Sequence, residues 1–458
     1  MTTILKVKEA ILLIGDMILL FSSLPITLAI AFLNDFSLEL VYDHLPPFTL
    51  IYFFLVVLYY IAGLYETRSF RPATAILPSV LLIHAIGVVF GTTMFYLLNN
   101  PEITPKTNLL LNMAIAALFF WIWRVLFQRY VAGRFKINVA IAGLNEHAKE
   151  LADFISAKPH MGYRLAAFIS TAPLFDKTAA VCGDTTVLWA DKDLIKNLIA
   201  ARIDTVITAE NPHFNPIIAQ MFYESLPYKI RFLDLAQSYE LLTARIPISY
   251  ISQTWFLENI NEQQKRVHDN IKRILDIAAA SFILISTLPL WPIIAFAIKL
   301  ESAGPVLYLQ ERVGRNKKLF RLIKFRSMIH KAEGNKPIWA QENDPRVTRV
   351  GAFLRRIHLD ELPQMINILK GDLSLVGPRP ERTEFVRELE AQIPHYHIRH
   401  IIKPGFTGWA QVNFRYARTP MDTYEKFQYD LYYLKNRSAL LDVTILLKTI
   451  NLFFKKTQ

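Results

Sequence analysis

The feature that most constrains this chain is a set of four long apolar runs in its first third. They cover roughly Ala10–Leu33, Phe48–Leu64, Leu77–Leu98 and Leu109–Val131. Each has the ~20 residues that a helix needs to cross a ~30 Å hydrocarbon core. Charges between the runs set an orientation. Lys6 and Lys8 precede the first run, whereas the loop Asn34–Pro47 holds Asp35, Glu39 and Asp43 and no Lys or Arg. Arg68 and Arg71 follow the second run, Lys106 is the one basic residue before the fourth, and Arg129, Arg134 and Lys136 follow it. Basic residues thus favour alternate loops, which the positive-inside rule reads as two hairpins with both ends in the cytoplasm. Ala29-Ile30-Ala31 resembles a leader cleavage site, but the run before it is longer than the ~7–15 residues of a signal h-region.

A fifth run, Ile274–Leu300, differs from these. It lies between Lys272-Arg273 and Lys299 and contains Pro289 and Pro292. A mid-helix proline removes a backbone hydrogen bond and clashes with the preceding turn, so a bend is expected. A straight crossing would carry the segment 301–458 to the outside, with its 27 Lys+Arg against 16 Asp+Glu. The expectation is therefore a re-entrant helix over about residues 272–300, broken at Pro289 and Pro292, with both basic ends at lipid headgroups. A kinked spanning helix is the rival reading.

The whole chain carries 51 Lys+Arg against 39 Asp+Glu, a net +12, so an anionic partner is expected. Nucleic acid is disfavoured, because the cations sit among prolines and membrane-proximal segments and form no reader motif. The single cysteine, Cys182, excludes an internal disulfide framework and a Cys-based zinc cluster. Lys136–Arg245 alternates short β-rich runs with helical patterns. Strands are expected at Ile137–Ala142, Tyr163–Ser170, Thr205–Ala209 and Lys229–Leu233, and helices at Glu146–Ala157, Asp193–Ala201 and Pro216–Ser225. This pattern suits a small Rossmann-like α/β domain. Its first turn, Gly143-Leu144-Asn145-Glu146, has one glycine where the dinucleotide fingerprint has three, so a structural, regulatory or dimer-forming role is expected. The domains are thus a four-helix transmembrane region over 1–135, the Rossmann-like domain over 136–250, and a catalytic α+β domain over 265–458 that includes the re-entrant helix.

Four polar motifs in the last third exceed what a packed core requires. Lys324-Phe325-Arg326-Ser327-Met328, with Gln310 and Arg312 upstream, suits a phosphate-rich ligand or a basic face on an anionic bilayer. Arg355-Arg356-Ile357-His358-Leu359-Asp360-Glu361-Leu362-Pro363-Gln364 puts two adjacent carboxylates near a helix start. The helix should begin at Asp360 or Glu361, because Pro363 fits only a first turn, and it should stop at Gly371. There Asp360 is either an N-cap or a carboxylate able to attack phosphorus or hold Mg²⁺. Gly377-Pro378-Arg379-Pro380 restricts the backbone on both sides of one guanidinium, which suits a two-pronged phosphate contact or a pair with Glu381. Lys403-Pro404-Gly405-Phe406-Thr407-Gly408-Trp409-Ala410-Gln411-Val412-Asn413 has two glycines for tight turns and an aromatic beside amides, compatible with a nucleotide pocket. His395, His397 and His400 match no helical ligand pair and are expected to be structural.

In order and spacing, KRILD, GPVLYLQERVG, KFRSM, LDELPQ, LKGDLSLVGPRP and KPGFTGWAQVN resemble the bacterial sugar transferases, monotopic polyprenyl-phosphate phosphoglycosyl transferases. The N-terminal architecture is similar to their long forms. The resemblance implies a multi-pass protein of the bacterial inner membrane with its catalytic domain in the cytoplasm. It would move a sugar-1-phosphate from a UDP-sugar to undecaprenyl phosphate and release UMP, as the first membrane step of exopolysaccharide, capsule or O-antigen synthesis. It further implies that Asp360 attacks the β-phosphorus, that Glu361 handles metal or lipid phosphate, and that Mg²⁺ falls at this pair. Arg312, Lys324, Arg355 and Arg379 align with phosphate-binding positions, and Arg326 of the first motif joins that set. Two positions depart from the pattern. Leu288 stands where many relatives have Ser before the helix-breaking proline, and Asn413-Phe414-Arg415 stands where the family often reads Asn-Gly-Arg. A non-catalytic membrane scaffold that holds anionic lipid is the competing reading.

Overall fold

The computed structural model describes residues 2–33, 35–65, 73–98, 105–131, 136–143, 145–170, 185–191, 193–209, 216–329, 344–414 and 419–454. Arg68, Arg71, Arg134, Leu144, Cys182 and Arg415 lie outside the described residues. The chain divides into two compact units, Met1–Thr243 and Ala244–Gln458.

The first unit starts with α1 (Thr2–Ala31), α2 (Leu38–Ile61), α3 (Ala73–Leu98) and α4 (Pro105–Leu126), the last extended by a π-helical turn over Phe127–Val131. All four are long and apolar enough to cross a membrane. Each packs on two others, α1 on α2 and α4, α3 on α2 and α4, which closes a four-helix bundle. Leu12, Leu24, Phe48, Ile51, Leu55 and Phe120 fill its interior, while Leu50, Leu81, Leu82, Val89 and Leu110 point outward. An apolar exterior around an apolar core is the pattern of a membrane protein. Helix α2 begins at Leu38, well inside the stretch read as a loop up to Pro47. Ser37 caps it by accepting from the Leu40 N–H at 3.1 Å, and the helix continues through Pro46 and Pro47. Polar groups in the bundle interior pair with one another. Arg124 lies 2.6 Å from Asp16, and Tyr52 donates to Asn112, whose amide donates to Ser23 and Thr27.

The α/β part of this unit is β1 (Ile137–Ala142), α5 (Glu146–Ala157), β2 (Tyr163–Ser170), β3 (Thr186–Trp189), α6 (Leu194–Ala200), β4 (Thr205–Thr208), α7 (Pro216–Ser225), β5 (Arg231–Asp234) and α8 (Leu235–Thr243). The strands form one parallel sheet of order β3-β2-β1-β4-β5. Helices α5 and α8 pack together, as do α6 and α7. Interior strand β4 is buried at every residue, as expected for a parallel strand covered on both faces. Strand β3 and helix α8 were not anticipated. β3 is four residues long and partly exposed, too short for a period to register.

The second unit begins earlier than the boundaries drawn from sequence, 250 and 265. Ile246, Ile248, Ile251 and Phe256 of α9 (Gln253–Asn259) belong to its core. Next come α10 (Arg266–Thr287) and α11 (Leu290–Glu301), which meet at a 64° bend. Pro289 caps α11, and Pro292 occupies its third position. Neither site needs a donor, since the first four N–H groups of a helix have no intrahelical acceptor. The outer faces are apolar: Ile274, Phe282, Ile285, Leu288, Ile293, Phe296 and Leu300 are exposed. The inner face of α10 is polar where it meets the domain. Asp276 accepts from Ser374 Oγ at 2.7 Å and the Leu375 N–H at 3.1 Å.

The remaining elements are β6 (Leu307–Val313), β7 (Leu319–Phe325), α12 (Arg349–Arg356), a 3₁₀ turn (Leu359–Glu361), α13 (Gln364–Lys370), β8 (Ser374–Val376), α14 (Thr383–Gln392), β9 (Gly405–Thr407), α15 (Trp409–Asn413), α16 (Pro420–Asn436) and α17 (Ala439–Phe454). β6 and β7 form an antiparallel ribbon, and β8 and β9 a short parallel pair. Ile368, Leu373, Val376, Phe427, Leu431 and Tyr433 are buried at the centre, each contributing on the order of 1.5–3 kcal/mol of burial if aliphatic or aromatic. The glycines of the fourth motif do not make left-handed turns. A Cβ on Gly405 or Gly408 would collide with the Gly377 backbone, so they permit β9 to approach the turn after β8.

Candidate active site

The site is built where the 3₁₀ turn, β7 and the turn after β8 converge. Helix α12 is capped by Thr348, which accepts from the Gly351 N–H at 2.9 Å, and by Glu301, which accepts from the Arg349 and Val350 N–H groups. After α12 the chain reverses at His358, whose φ of 55° lies in the left-handed region. Such a conformation in a non-glycine residue costs of order 1–3 kcal/mol and must be held by its surroundings. The reversal delivers Leu359, Asp360 and Glu361 as one tight turn, and α13 starts after Pro363 and ends at Gly371 with φ 92°. The C-terminal stop falls where the sequence placed it. The start is different, since Pro363 rather than Asp360 caps α13, so the N-cap reading of Asp360 does not hold.

The two carboxylates sit in contrasting settings. Lys324 Nζ donates to Glu361 Oε1 at 2.7 Å, and Arg379 reaches the same oxygen at 3.4 Å. Burial by itself would push Glu361 up, but Lys324 and Arg379 hold it far below the ordinary carboxylate range. Asp360 is 7% exposed, and no described residue donates a hydrogen bond to its carboxylate. Burial pushes its pKa up, the Glu361 charge adds to this, and Lys324 and Arg355 oppose it. Lys324 is itself pushed down by burial, against the pull of Glu361. Both cations share Oε1 of Glu361. Oε2 of Glu361 and both oxygens of Asp360 thus have no hydrogen-bond donor among the described residues.

An open pocket beside the carboxylates is lined by Arg312, Leu322, Lys324, Gln364, Arg379, Pro380, Gly405 and Phe406. Arg312 is fixed in it by the Gln310 carboxamide, by the Pro380 carbonyl at 3.0 Å and by Glu381 at 3.7 Å. Arg379, 41% exposed, offers the pocket a guanidinium from between two prolines. Its carbonyl accepts from Arg399 at 3.0 Å, and Arg399 is in turn held by Asp430 at 2.8 Å and by the Tyr396 hydroxyl. Sequence reasoning missed this support. Arg399 lies between the histidines His397 and His400, but Asp430 is 31 residues away and carries no local signal.

Of the cations singled out from sequence, Arg312, Lys324 and Arg379 converge on the pocket. Arg355 stands apart from the pocket lining, tied by its Nε to Ser327 Oγ at 2.8 Å, yet near enough to lower Asp360. Arg326 has a different position. Its guanidinium is 5% exposed and donates to the carbonyls of Ile298, Ser302 and Ala303. These carbonyls lie in the last turn of α11 and just past its end, so Arg326 ties the α11 C-terminus to β7 and is not brought to the carboxylates. Pro289 and Pro292 lie at the bend between α10 and α11, as described above. Of the histidines, His395 packs on the Phe256 ring and His400 on Tyr396, and burial drives His400 down to about 3.

The family model described as bacterial sugar transferase matches residues 267–456. A UDP-glucose:undecaprenyl-phosphate glucose-1-phosphate transferase of Klebsiella pneumoniae is 30% identical over 434 residues, 92% of this chain and 90% of the relative. A UDP-N-acetylgalactosamine-undecaprenyl-phosphate N-acetylgalactosaminephosphotransferase of Aeromonas hydrophila is 42% identical over 255 residues. A UDP-glucose:undecaprenyl-phosphate glucose-1-phosphate transferase of Xanthomonas campestris is 33% identical over 325 residues. The alignments cover 51% and 68% of this chain in these last two, and the chain spans 60% and 65% of the relatives' own lengths.

Proposed function

Because this chain belongs to the bacterial sugar transferase family, we propose that it transfers a sugar-1-phosphate from a UDP-sugar to undecaprenyl phosphate, with Asp360 as nucleophile. The observation that carries the reading is the contrast at the carboxylate pair. Glu361 is fastened by two cations, while Asp360 is buried beside it with no hydrogen-bond donor among the described residues. A carboxylate in a largely buried setting whose oxygens accept no hydrogen bond from the described residues is a stronger nucleophile than one bound on both oxygens.

In the first displacement an Asp360 oxygen attacks the β-phosphorus of the UDP-sugar. The bond from that phosphorus to the bridging oxygen breaks, and UMP departs with the electron pair. In the second, an oxygen of undecaprenyl phosphate attacks the same phosphorus and the Asp360 carboxylate leaves, giving the lipid diphosphate sugar. An anion attacking a polyanion is repelled, so positive charge must already be in place. Lys324, Arg379 and Arg312 supply it on the pocket side and Arg355 on the other.

The donor set also fits Mg²⁺, which takes one or two carboxylates together with substrate phosphates and water. Oε2 of Glu361 and the Asp360 carboxylate would hold the ion. Mg²⁺ bound there would neutralise diphosphate charge. The α10–α11 bend supports a re-entrant hairpin, because the chain changes direction by 64° within the apolar run and the residues exposed around the break, Phe282, Ile285, Leu288 and Ile293, are apolar. The charge distribution of the sequence puts the end of the fourth membrane helix in the cytoplasm, and a re-entrant hairpin keeps the catalytic unit there at headgroup height, in the bacterial inner membrane. The strand order β3-β2-β1-β4-β5 supports a Rossmann-like domain whose single-glycine turn serves structure or regulation.

The reading is tested with membranes containing Asp360→Asn. Wild-type membranes should release UMP from at least one UDP-sugar in the presence of undecaprenyl phosphate, and Asp360→Asn membranes with equal protein should release none. Turnover by the Asn variant would remove Asp360 as nucleophile, and no release by wild type would favour a scaffold role. The hairpin is tested by Lys299→Cys in a Cys182→Ser background. A membrane-impermeant thiol reagent should label it only after the cells are opened, and labelling in intact cells would make the bent pair a spanning segment.

A further inference from the structure

We propose that Asn367 is a positioning residue for the transfer, its carboxamide standing in for a missing strand along the free edge of β7 and so holding Lys324 against Glu361. The inference rests on the transfer reading above and deepens it.

Among the described residues, strand β7 has a strand partner on one edge only, β6. On the other edge the Ile323 N–H donates to Asn367 Oδ1 at 3.0 Å, and Asn367 Nδ2 donates to the Arg321 carbonyl at 2.8 Å. In a strand, residues two apart direct their backbone groups to the same edge, and the intervening residue directs them to the other. One carboxamide, with one acceptor and its donors on a planar unit, therefore does what one peptide group of a neighbouring strand would do. Asn367 is 1% exposed, so water does not compete for either bond.

The position of this clamp matters for the site. A two-stranded ribbon is marginal in isolation, and a slip of one residue sends every side chain to the opposite face. Lys324 directly follows the clamped Ile323, and its Nζ reaches Glu361 at 2.7 Å. Asn367 lies six residues after Glu361, at the inner face of α13. The short segment 360–367 thus grips β7 twice, once through the catalytic ion pair and once through the carboxamide. The second grip fixes the register on which the first depends. Asp at this position would keep the acceptor, lose the donor and bury a charge. Leu would keep the volume and lose both bonds.

The experiment uses full-length protein in membranes and compares wild type, Asn367→Leu, Asn367→Asp, Lys324→Met and the double variant Asn367→Leu/Lys324→Met. UMP release is measured at equal amounts of detergent-extractable, monodisperse protein, and amide deuterium exchange is followed over residues 319–325. Asn367→Leu is expected to lower kcat/KM by ~10²-fold, the effect of misplacing a catalytic group by about an ångström. Asn367→Asp is expected to fall between Leu and wild type. In the Lys324→Met background the Leu substitution should add less than about threefold, because a residue acting through Lys324 has nothing left to position. Equal losses in both backgrounds would mark a general structural defect and overturn the proposal.

The split between kcat and KM gives a second readout. Asn367→Leu should divide its loss between kcat and KM in the same proportion as Lys324→Met, and a different division counts against the proposal. Absence of UMP release by wild type would sink the transfer reading instead. The exchange arm then still decides the clamp, which is refuted if the Ile323 amide stays as protected in Asn367→Leu as in wild type.

Discussion

Two regions of this protein bury opposite charges, and they handle them differently. In the helical bundle, Asp16 and Arg124 meet at 2.6 Å with exposures of 0% and 2%, and the guanidinium also donates to the Leu64 carbonyl and lies 4.5 Å from the Phe120 ring. One acid meets one base, and aromatic rings enclose them. In the C-terminal unit two acids meet a larger set of cations. Glu361 takes two of them on one oxygen, and Asp360 beside it takes no hydrogen bond from the described residues. A one-to-one pair in an apolar bundle fixes how helices α1 and α4 meet. An uneven cluster at the edge of a pocket leaves charge to be completed by a substrate.

The comparison can be broken most sharply at Asp360. Asp360→Asn should lower UMP release on the order of 10⁴-fold or more, as loss of a covalent nucleophile does. Its thermal stability should rise. Burial raises the Asp360 pKa, so the charged form is disfavoured in the folded state, and the site costs stability above that raised pKa and regains it as pH falls through it. An Asn that melts lower than wild type at neutral pH would contradict the assignment of Asp360 as an uncompensated charge.

The opposite outcome is expected in the bundle. Arg124→Met leaves Asp16 buried without its partner and should destabilise the protein by about 3–5 kcal/mol, read as a lowered melting temperature in detergent. UMP release per folded molecule should stay within a few-fold. A smaller effect should follow Arg326→Lys, which loses some of the bonds to the end of α11 and should cost about 1–3 kcal/mol with little change in KM for the UDP-sugar. A large rise in KM would return Arg326 to the phosphate-binding set. The smallest effect concerns acid pH. Glu361 is held low by Lys324 and Arg379, so its pairing stabilises the fold above the ordinary Glu pKa and is lost only as pH falls through the depressed value. Stability measured from pH 7 down to pH 5 should thus be insensitive to Glu361→Gln relative to its offset at pH 7.

Much of the architecture was legible in the letters. Run length alone revealed the four membrane helices, because a bilayer accepts few alternatives to an apolar helix. Gly371 marked the end of α13 because only a left-handed residue terminates a helix in that way. Pro289 marked the break before α11 because proline cannot donate. The misreadings share one cause, which is that residue type does not disclose partner. Arg326 and Lys324 stand two apart in one motif, yet Arg326 closes a helix end and Lys324 reaches a carboxylate 37 residues later. Gly405 and Gly408 looked like turn glycines and are close-approach glycines instead. Asn367 carried no signal, since a carboxamide inside an amphipathic helix is ordinary until the strand edge it covers is known.

The sequence by itself determined which segments enter the membrane, where helices stop, and which residue types are available for phosphate chemistry. These follow from hydropathy, backbone geometry and charge, which act over a few neighbours. Only the tertiary structure decided which carboxylate is tied down and which is left bare, and which cations are committed to helix ends. Those outcomes depend on distances between residues tens of positions apart, and such distances are set by the packing of β7, α13 and the turn after β8 around one another.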